Sequence, residues 1–110
     1  MDQARVVLIT APDPATAERL AREMVEQRLA ACVNGIPGAF SVWRWQGAIE
    51  RAEEVLLIAK TEAGRLPEIL AWLERSHPYE VPECVALAPA EVSPRYRAWL
   101  SAEVRREDGA

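Results

Sequence analysis

Residues 55–59 (VLLIA) form an uninterrupted apolar run, which constrains the fold more than any other stretch of the chain. A strand of an antiparallel sheet that has one face in water alternates apolar and polar side chains. Because this run does not alternate, both faces of the strand should be covered. Helices of the same chain can cover one face, and a second copy of the chain is the natural cover for the other.

Further strands are predicted on both sides of this run. Apolar, β-branched stretches bounded by turn residues are typical of strands, and they lie at residues 5–10, 31–35, 39–46, 49–61 and 84–88. Pro37 and Gly38 separate the two parts of the second strand, which indicates a bulge or a sheet edge. Gln46 and Gly47 predict a tight turn. The second and third strands therefore form a long hairpin.

Three helices are predicted between and after the strands. Asp13 is placed to cap the first helix, with Pro14 at a position where its missing N–H costs nothing. The second helix must end near His77, because Pro78 follows. Ser93 begins the last helix. The order β-α-β-β-α-β plus a C-terminal helix predicts a ferredoxin-like α+β fold with an antiparallel sheet.

The length of 110 residues fits a single domain, with an ordered core expected at about residues 4–103 and a polar end at residues 105–110. The formal net charge of −4 argues against a nucleic-acid or membrane partner. Residues 1–5 lack the pattern of a signal peptide, so we expect a cytoplasmic protein. Cys32 and Cys84 form no CxxC unit and are expected to be small buried apolar residues rather than a disulfide.

The tip of the long hairpin carries two tryptophans. Trp43 and Trp45 are two residues apart and point to one side of their strand, whereas Arg44 points to the other. The tip is too far along the hairpin to reach the core of its own chain, and Trp and Arg are enriched in interfaces. We therefore expect these three residues in a subunit interface; the alternative is that the tryptophans belong to a monomer core.

Several motifs of the chain resemble those of one known family, the CutA family of divalent-cation tolerance proteins. They occur in order and at the right spacing from about residue 5 to 101, at residues 27–34 (QRLAACVN), 36–47, 54–61 (EVLLIAKT), 77–83 (HPYEVPE) and 96–100 (YRAWL). The resemblance implies a homotrimer of ferredoxin-like subunits whose long hairpins pack against their neighbours. It also implies a role in tolerance to copper and other divalent cations, and it brings no established catalytic residue.

A metal site is one hypothesis for the 77–83 motif. His77, Glu80 and Glu83 lie close together in sequence and could bind copper(II) or another divalent cation, with no cofactor required. Some members of the family carry a cysteine and a second histidine where this chain has Ile9 and Ser76, so copper should bind more weakly here. The alternative is that His77 makes structural hydrogen bonds at the end of its helix.

A cleft between subunits is the second hypothesis. Lys60, Tyr79 and Trp45 could line it, with Lys60 as an anion anchor or a nucleophile; the alternative is that Lys60 is an ordinary residue at a strand end. The cleft raises a different function, that of a PII-like signalling trimer that binds a small molecule or anion. This is an analogy of fold only.

The sequence favours a protein that is not an enzyme. It has no Gly-rich phosphate loop, GxSxG or HExxH motif. The β-α-β-β-α-β order is shared with RNA-recognition modules, but residues 55–61 carry none of the aromatic side chains on which such modules stack bases. A structural or interaction protein without a small ligand is a third possibility.

Overall fold

The computed structural model describes residues 3–105, and its elements follow the predicted order. The strands are β1 (Ala4–Ala11), β2 (Cys32–Trp45), β3 (Ala48–Glu62) and β4 (Val85–Leu87). The helices are α1 (Pro14–Glu26), α2 (Leu66–Ser76), which follows a 3-10 turn at Ala63–Arg65, and α3 (Pro94–Val104). The predicted polar end lies, apart from Arg105, outside the described residues.

The strands form one sheet in the order β2-β3-β1-β4, and every neighbouring pair is antiparallel. This order, with β1 and β3 in the centre, is the ferredoxin-like arrangement, which confirms the predicted fold class. The hairpin of β2 and β3 is long, as expected, because each strand has 14 or 15 residues.

One face of the sheet is covered by α1 and α2. The buried side chains of this face alternate along β1 and β3, and those of the helices pack against them: Val7, Ile9, Ala11, Val55, Leu57 and Ala59 from the strands, with Leu20, Met24, Ile69, Trp72 and Leu73 from the helices. Asp13 caps α1 as predicted, since its Oδ1 accepts a hydrogen bond of 2.7 Å from the Thr16 N–H.

The opposite side of the sheet, called here the open face, is apolar and incompletely covered within one chain. Cross-strand register places its members side by side: Leu8 is opposite Ile58 and Val85, and Thr10 is opposite Leu56. These central residues are half-buried except Val85, which is 47% exposed. The predicted two-faced character of residues 55–59 is therefore present in the fold.

One local feature differs from expectation. β4 is shorter than residues 84–88, because it pairs only with three residues of β1 and lies between two prolines, which cannot donate to a ladder. In α3, Leu100 is buried, whereas Tyr96 and Trp99 are 37% and 44% exposed and lie against each other with ring centroids 5.5 Å apart.

Candidate functional site

A concave surface lies where the β2–β3 hairpin extends past the end of β1. β1 ends at Ala11, opposite Val55, so the hairpin beyond that point has no neighbouring strand on this side. The loop between α2 and β4 runs alongside the hairpin. The two enclose a groove of about 870 Å³, called here the hairpin groove, lined by Thr10, Ser41, Val42, Trp43, Trp45, Glu50, Ala52, Glu54, Pro78, Tyr79, Glu80, Val81 and Glu83.

Two backbone features shape the hairpin side of the groove. The register shifts between Ile36 and Ala39. Gly38, within this bulge, has a φ of 85°, which residues other than glycine rarely adopt. At the tip, Gln46 and Gly47 both have positive φ, 49° and 82°. Two such residues make the type I′ turn whose twist matches that of the strands. The predicted bulge and tight turn are both confirmed.

Trp43 and Trp45 lie on the groove side of β2, and Arg44 is not among the groove's lining residues. The two indoles are 40% and 38% exposed. The prediction that the tip cannot reach its own core is therefore confirmed. Whether Trp43, Trp45 and Arg44 contact a neighbouring subunit stays a prediction.

His77 ends α2 and is buried, with both ring nitrogens in hydrogen bonds. Nδ1 accepts from the Tyr79 N–H at 3.1 Å, so the proton of the neutral ring belongs on Nε2, which lies 2.7 Å from the Thr10 carbonyl oxygen and donates to it. His77 thereby ties the loop after α2 to the end of β1. It is the only histidine of the chain, and this arrangement leaves it no free lone pair.

Tyr79 forms the wall of the groove next to His77. The two rings lie 4.7 Å apart, and the Tyr79 hydroxyl donates a 2.5 Å hydrogen bond to Oε2 of Glu54, which is 7% exposed. Burial and then this hydrogen bond raise the pKa of Tyr79 well above its ordinary value. The phenol therefore stays protonated and holds its ring in place.

The charge of the groove is one-sided. Four carboxylates line it, those of Glu50, Glu54, Glu80 and Glu83, and no Lys, Arg or His side chain is among its described lining residues. Only Glu54 is buried; the other three are exposed. The groove therefore combines a negative potential with aromatic walls.

The residues proposed for a metal do not converge in one subunit. Glu80 and Glu83 lie on the groove, but the nitrogens of His77 are already used. Over residues 3–105, no group of three or more His, Cys, Asp or Glu side chains is arranged to hold a metal ion. Burial, and then the Glu83 charge, raise the pKa of the Cys84 thiol, which disfavours the thiolate that binds metals. The donor set does not fit a copper ion centred on His77.

Lys60 is not part of the groove. It lies opposite Cys32 on the open face, and its Nζ donates to Oδ1 of Asn34. Six residues of extended strand, about 20 Å, separate it from Glu54. Within one subunit the structure thus brings together Tyr79 and Trp45 but not Lys60. A cleft that combines all three across two subunits stays a prediction about the assembled protein.

The two cysteines are free and half-buried. Cys32 belongs to the edge strand β2 and Cys84 precedes the opposite edge strand β4, so β3 and β1 lie between them. Three strand spacings amount to about 14 Å, too far for a disulfide within one chain. As expected, they do not pair with each other within one chain, but they are half-buried rather than buried.

Glu50, Glu54 and Thr10 were not predicted at the site. A signal for Glu50 existed, because it lies directly opposite Trp43 in a two-residue hairpin and so shares its face. No such signal existed for Thr10, which reaches the groove only through packing of the loop at residues 77–83 against β1 and β3.

The fold and the groove together define a small α+β protein of the ferredoxin-like class, with a long projecting hairpin and an incompletely covered apolar sheet face. Residues 5–103 match the family model described as CutA1 divalent ion tolerance protein. The chain belongs to this family. The resemblance found in its motifs is confirmed.

Individual relatives agree with this assignment. The chain is 46% identical over 95 residues to the divalent-cation tolerance protein CutA of Thermus thermophilus. The aligned region covers 86% of this chain and 92% of that protein. The crystal structure of CutA from Xylella fastidiosa superimposes with a TM-score of 0.89 at 38% identity, covering 93% of this chain and 98% of the other. The structure of the periplasmic divalent cation tolerance protein CutA from Archaeoglobus fulgidus has a TM-score of 0.89 at 32% identity, with 93% and 99% covered. These matches do not favour the PII-like signalling alternative.

None of the helices among residues 3–105 has the length and apolar character needed to cross a membrane.

Proposed function

We propose that this chain acts in divalent-cation tolerance as a homotrimer in the cytoplasm, without catalytic activity. The names of its relatives support the role in tolerance. The main observation that supports a homotrimer is the apolar, incompletely covered open face. Leu8, Leu56 and Ile58 lie there in adjacent positions of the two central strands, and no helix of the sheet's other side reaches them. A monomer would leave this surface in contact with water.

The projecting hairpin supports the same conclusion. Phe40 and Ile49, which are not among the lining residues of the groove, are 64% and 61% exposed, and Val42, which is one of them, is 58% exposed. Large apolar side chains that are exposed this close together on one hairpin support an interaction site in this region. We propose that the hairpin, with Trp43, Trp45 and Arg44 near its tip, packs on a neighbouring subunit and so buries both patches.

The absence of a nucleic-acid partner and of catalysis is part of the proposal. The open face of the central strands presents aliphatic side chains such as Leu8 and Ile58, which offer no ring for a base to stack on. His77, the residue type most often used for proton transfer, has both nitrogens bound to backbone groups.

We further propose that tolerance does not depend on a copper ion held by His77. A divalent cation that binds this protein would use the exposed carboxylates of Glu80 and Glu83, completed by groups from another subunit. Carboxylates are hard ligands that also suit Mg²⁺, Ca²⁺ and Mn²⁺, so the protein's preference for copper should be smaller than that of a site with imidazole and thiolate ligands.

The mass in solution tests the assembly. Sedimentation at micromolar concentration should give three times the 12.2 kDa of one chain. Ile58→Lys places a charge in the open face and should lower the mass. Leu70→Lys is the matched control, because Leu70 is 52% exposed on α2, away from that face. A folded wild-type monomer, or an Ile58→Lys trimer as stable as wild type, would contradict the proposed interface.

Copper titration and growth test the role. Calorimetry should give the same weak copper affinity for wild type and for His77→Gln, whose folding is checked by circular dichroism. The double variant Glu80→Gln/Glu83→Gln should bind copper more weakly than either. Cells that lack their own CutA should regain growth on elevated copper with wild type and not with Ile58→Lys. Strong copper binding that disappears only with His77→Gln would refute the account of the metal.

A further inference from the structure

We propose that His77 is an acid-sensitive latch for the loop between α2 and β4. The neutral imidazole holds the start of this loop, and a second proton on the ring releases it. The proposal goes beyond cation tolerance and rests on contacts within one subunit, so it does not depend on the proposed trimer. His77 is 7% exposed, and the device needs only a proton to reach it.

The latch consists of two hydrogen bonds in which the ring nitrogens have opposite roles. Nε2 donates to the Thr10 carbonyl oxygen at 2.7 Å, next to the end of β1, and Nδ1 accepts from the Tyr79 N–H at 3.1 Å, in the loop. A neutral imidazole has one donor and one acceptor and therefore fits both partners. Because Thr10 precedes His77 by 67 residues, the ring joins two segments that are remote in sequence.

A second proton on this ring has to be added at Nδ1. The imidazolium has two N–H donors and no acceptor, so Nδ1–H would face the N–H of Tyr79 and that hydrogen bond would be lost. Nε2–H can still donate to Thr10. Protonation therefore acts on one side of the ring: His77 stays bound to β1, and the loop backbone at Tyr79 is released. Histidine is the side chain that ordinarily changes its charge between pH 5 and 8.

Charged groups of α1, α2, β3 and the loop lie around the latch, whereas β1 contributes the uncharged Thr10 carbonyl. They are close to His77 in the chain or act on its neighbours Ser76 and Tyr79: Asp13, Arg19 and Glu23 from α1, Glu54 from β3, Glu74 and Arg75 from α2, and Glu80 from the loop. Such charges influence the pH at which the ring gains its proton. They do not give Nδ1 back its lone pair, so loss of the Tyr79 bond accompanies protonation at whatever pH it occurs.

Release changes how the loop is held. Without the bond to His77, Tyr79 is still held by its hydroxyl, which donates to Glu54 at 2.5 Å, and the far end of the loop is held by Cys84, which packs against the core. We expect residues 78–83 to become more mobile between these two points. Glu80 and Glu83 lie in this segment, so acid should also weaken the binding of a divalent cation; this last consequence rests on the proposed function, and the latch itself does not.

Nitrogen NMR of the intact protein tests the latch directly. Labelled histidine should give one pair of ring signals per subunit, because His77 is the only histidine of the chain. At about pH 8, well above the ordinary titration of histidine, we expect a proton on Nε2 and none on Nδ1. On acidification the Nδ1 signal should change to that of an imidazolium, and the amide signal of Tyr79 should change with the same midpoint.

Hydrogen exchange locates the release. In His77→Asn the side-chain oxygen can still accept from the Tyr79 N–H but gains no proton in this pH range. As the pH falls through the ring titration, wild type should lose about tenfold in protection of residues 78–83 relative to this variant, the effect of about one hydrogen bond. Glu74→Gln, exposed on α2, is the matched control and should behave as wild type. If His77→Asn does not fold, the shared midpoint of ring and amide in wild type decides.

Four results would overturn the proposal. The first is a proton on Nδ1 at about pH 8, and the second is a ring that stays neutral until the whole protein unfolds in acid. The third is a Tyr79 amide that does not follow the ring. The fourth is loss of protection that occurs only together with a fall in mass, measured by sedimentation at each pH, which would assign the effect to a subunit interface. A wild type that is a monomer throughout would refute the proposed trimer and leave this test intact.

Discussion

Replacing Tyr79 with phenylalanine removes one oxygen atom from the wall of the hairpin groove. That oxygen donates a 2.5 Å hydrogen bond to the carboxylate of Glu54, which is only 7% exposed. A hydrogen bond to a charged group contributes about 1.5–3 kcal/mol, and a buried acceptor left without its donor cannot be fully rehydrated. Because the groove admits some water, we expect a loss of about 2 kcal/mol in the free energy of unfolding at pH 7.

The assay is thermal and urea unfolding of wild type, Tyr79→Phe, Glu54→Gln and the double variant, all at one chain concentration because an oligomer's stability depends on it. For a chain of this size the single change to phenylalanine should lower Tm by roughly 8 °C. The two single effects should not add, since each removes the same hydrogen bond. The ring remains, so the shape of the groove is kept.

The pH dependence provides an independent check. The pKa of Tyr79 is raised in the folded protein, so the folded form keeps its proton above pH 10 while the unfolded form loses it. The stability that this residue contributes is complete below pH 10 and is lost as the pH rises further. Tyr79→Phe should lack that alkaline loss. Additive single effects, or identical alkaline profiles for wild type and Tyr79→Phe, would refute the assignment of this hydrogen bond.

Two further predictions concern the core under the helices. Thr61→Val removes the 2.6 Å hydrogen bond from the fully buried Thr61 hydroxyl to the Leu29 carbonyl. The free energy of unfolding, measured in urea, should fall by about 1–2 kcal/mol; an unchanged urea midpoint would contradict this prediction. Burial raises the pKa of Glu23, but hydrogen bonds from Trp72 and Arg19 outweigh this and lower it overall. Glu23 therefore stabilises the fold above about pH 4.5 and loses this effect as the pH falls through its folded pKa. Trp72→Phe should lower the free energy of unfolding by about 1 kcal/mol or more, and stability should then depend less on pH on the acid side. The exposed control Glu74→Gln should have neither effect. An unchanged pH dependence on the acid side would count against the Trp72–Glu23 hydrogen bond.

Local chemistry made much of the fold predictable. The Asp13 cap, the turn at Gln46 and Gly47, and the bulge near Gly38 each follow from what one or two residues can do with their own backbone. The apolar run at residues 55–59 indicated a central strand with two apolar faces, because strand side chains alternate regardless of their partners. These features need no knowledge of distant residues.

The candidate site was predictable only in part. Tyr79 and Trp45 were expected in one cleft, and they line one groove in the subunit. Lys60 was expected beside them in a cleft between subunits; within one subunit the register of β3 places it about 20 Å from Glu54, and the cleft across subunits stays a prediction. His77 was considered as a metal ligand, and its ring nitrogens instead join the Thr10 carbonyl and the Tyr79 N–H.

The order of the elements, the length of the hairpin and the apolar character of both sides of β3 follow from the sequence alone, because they depend on short-range periodicity and turn chemistry. The acidic and aromatic character of the groove follows from the three-dimensional packing. Its sign of charge depends on which of seventeen acidic and thirteen basic residues meet in space. That meeting is set by strand register and by the path of the loop at residues 77–83, through contacts between residues far apart in the chain.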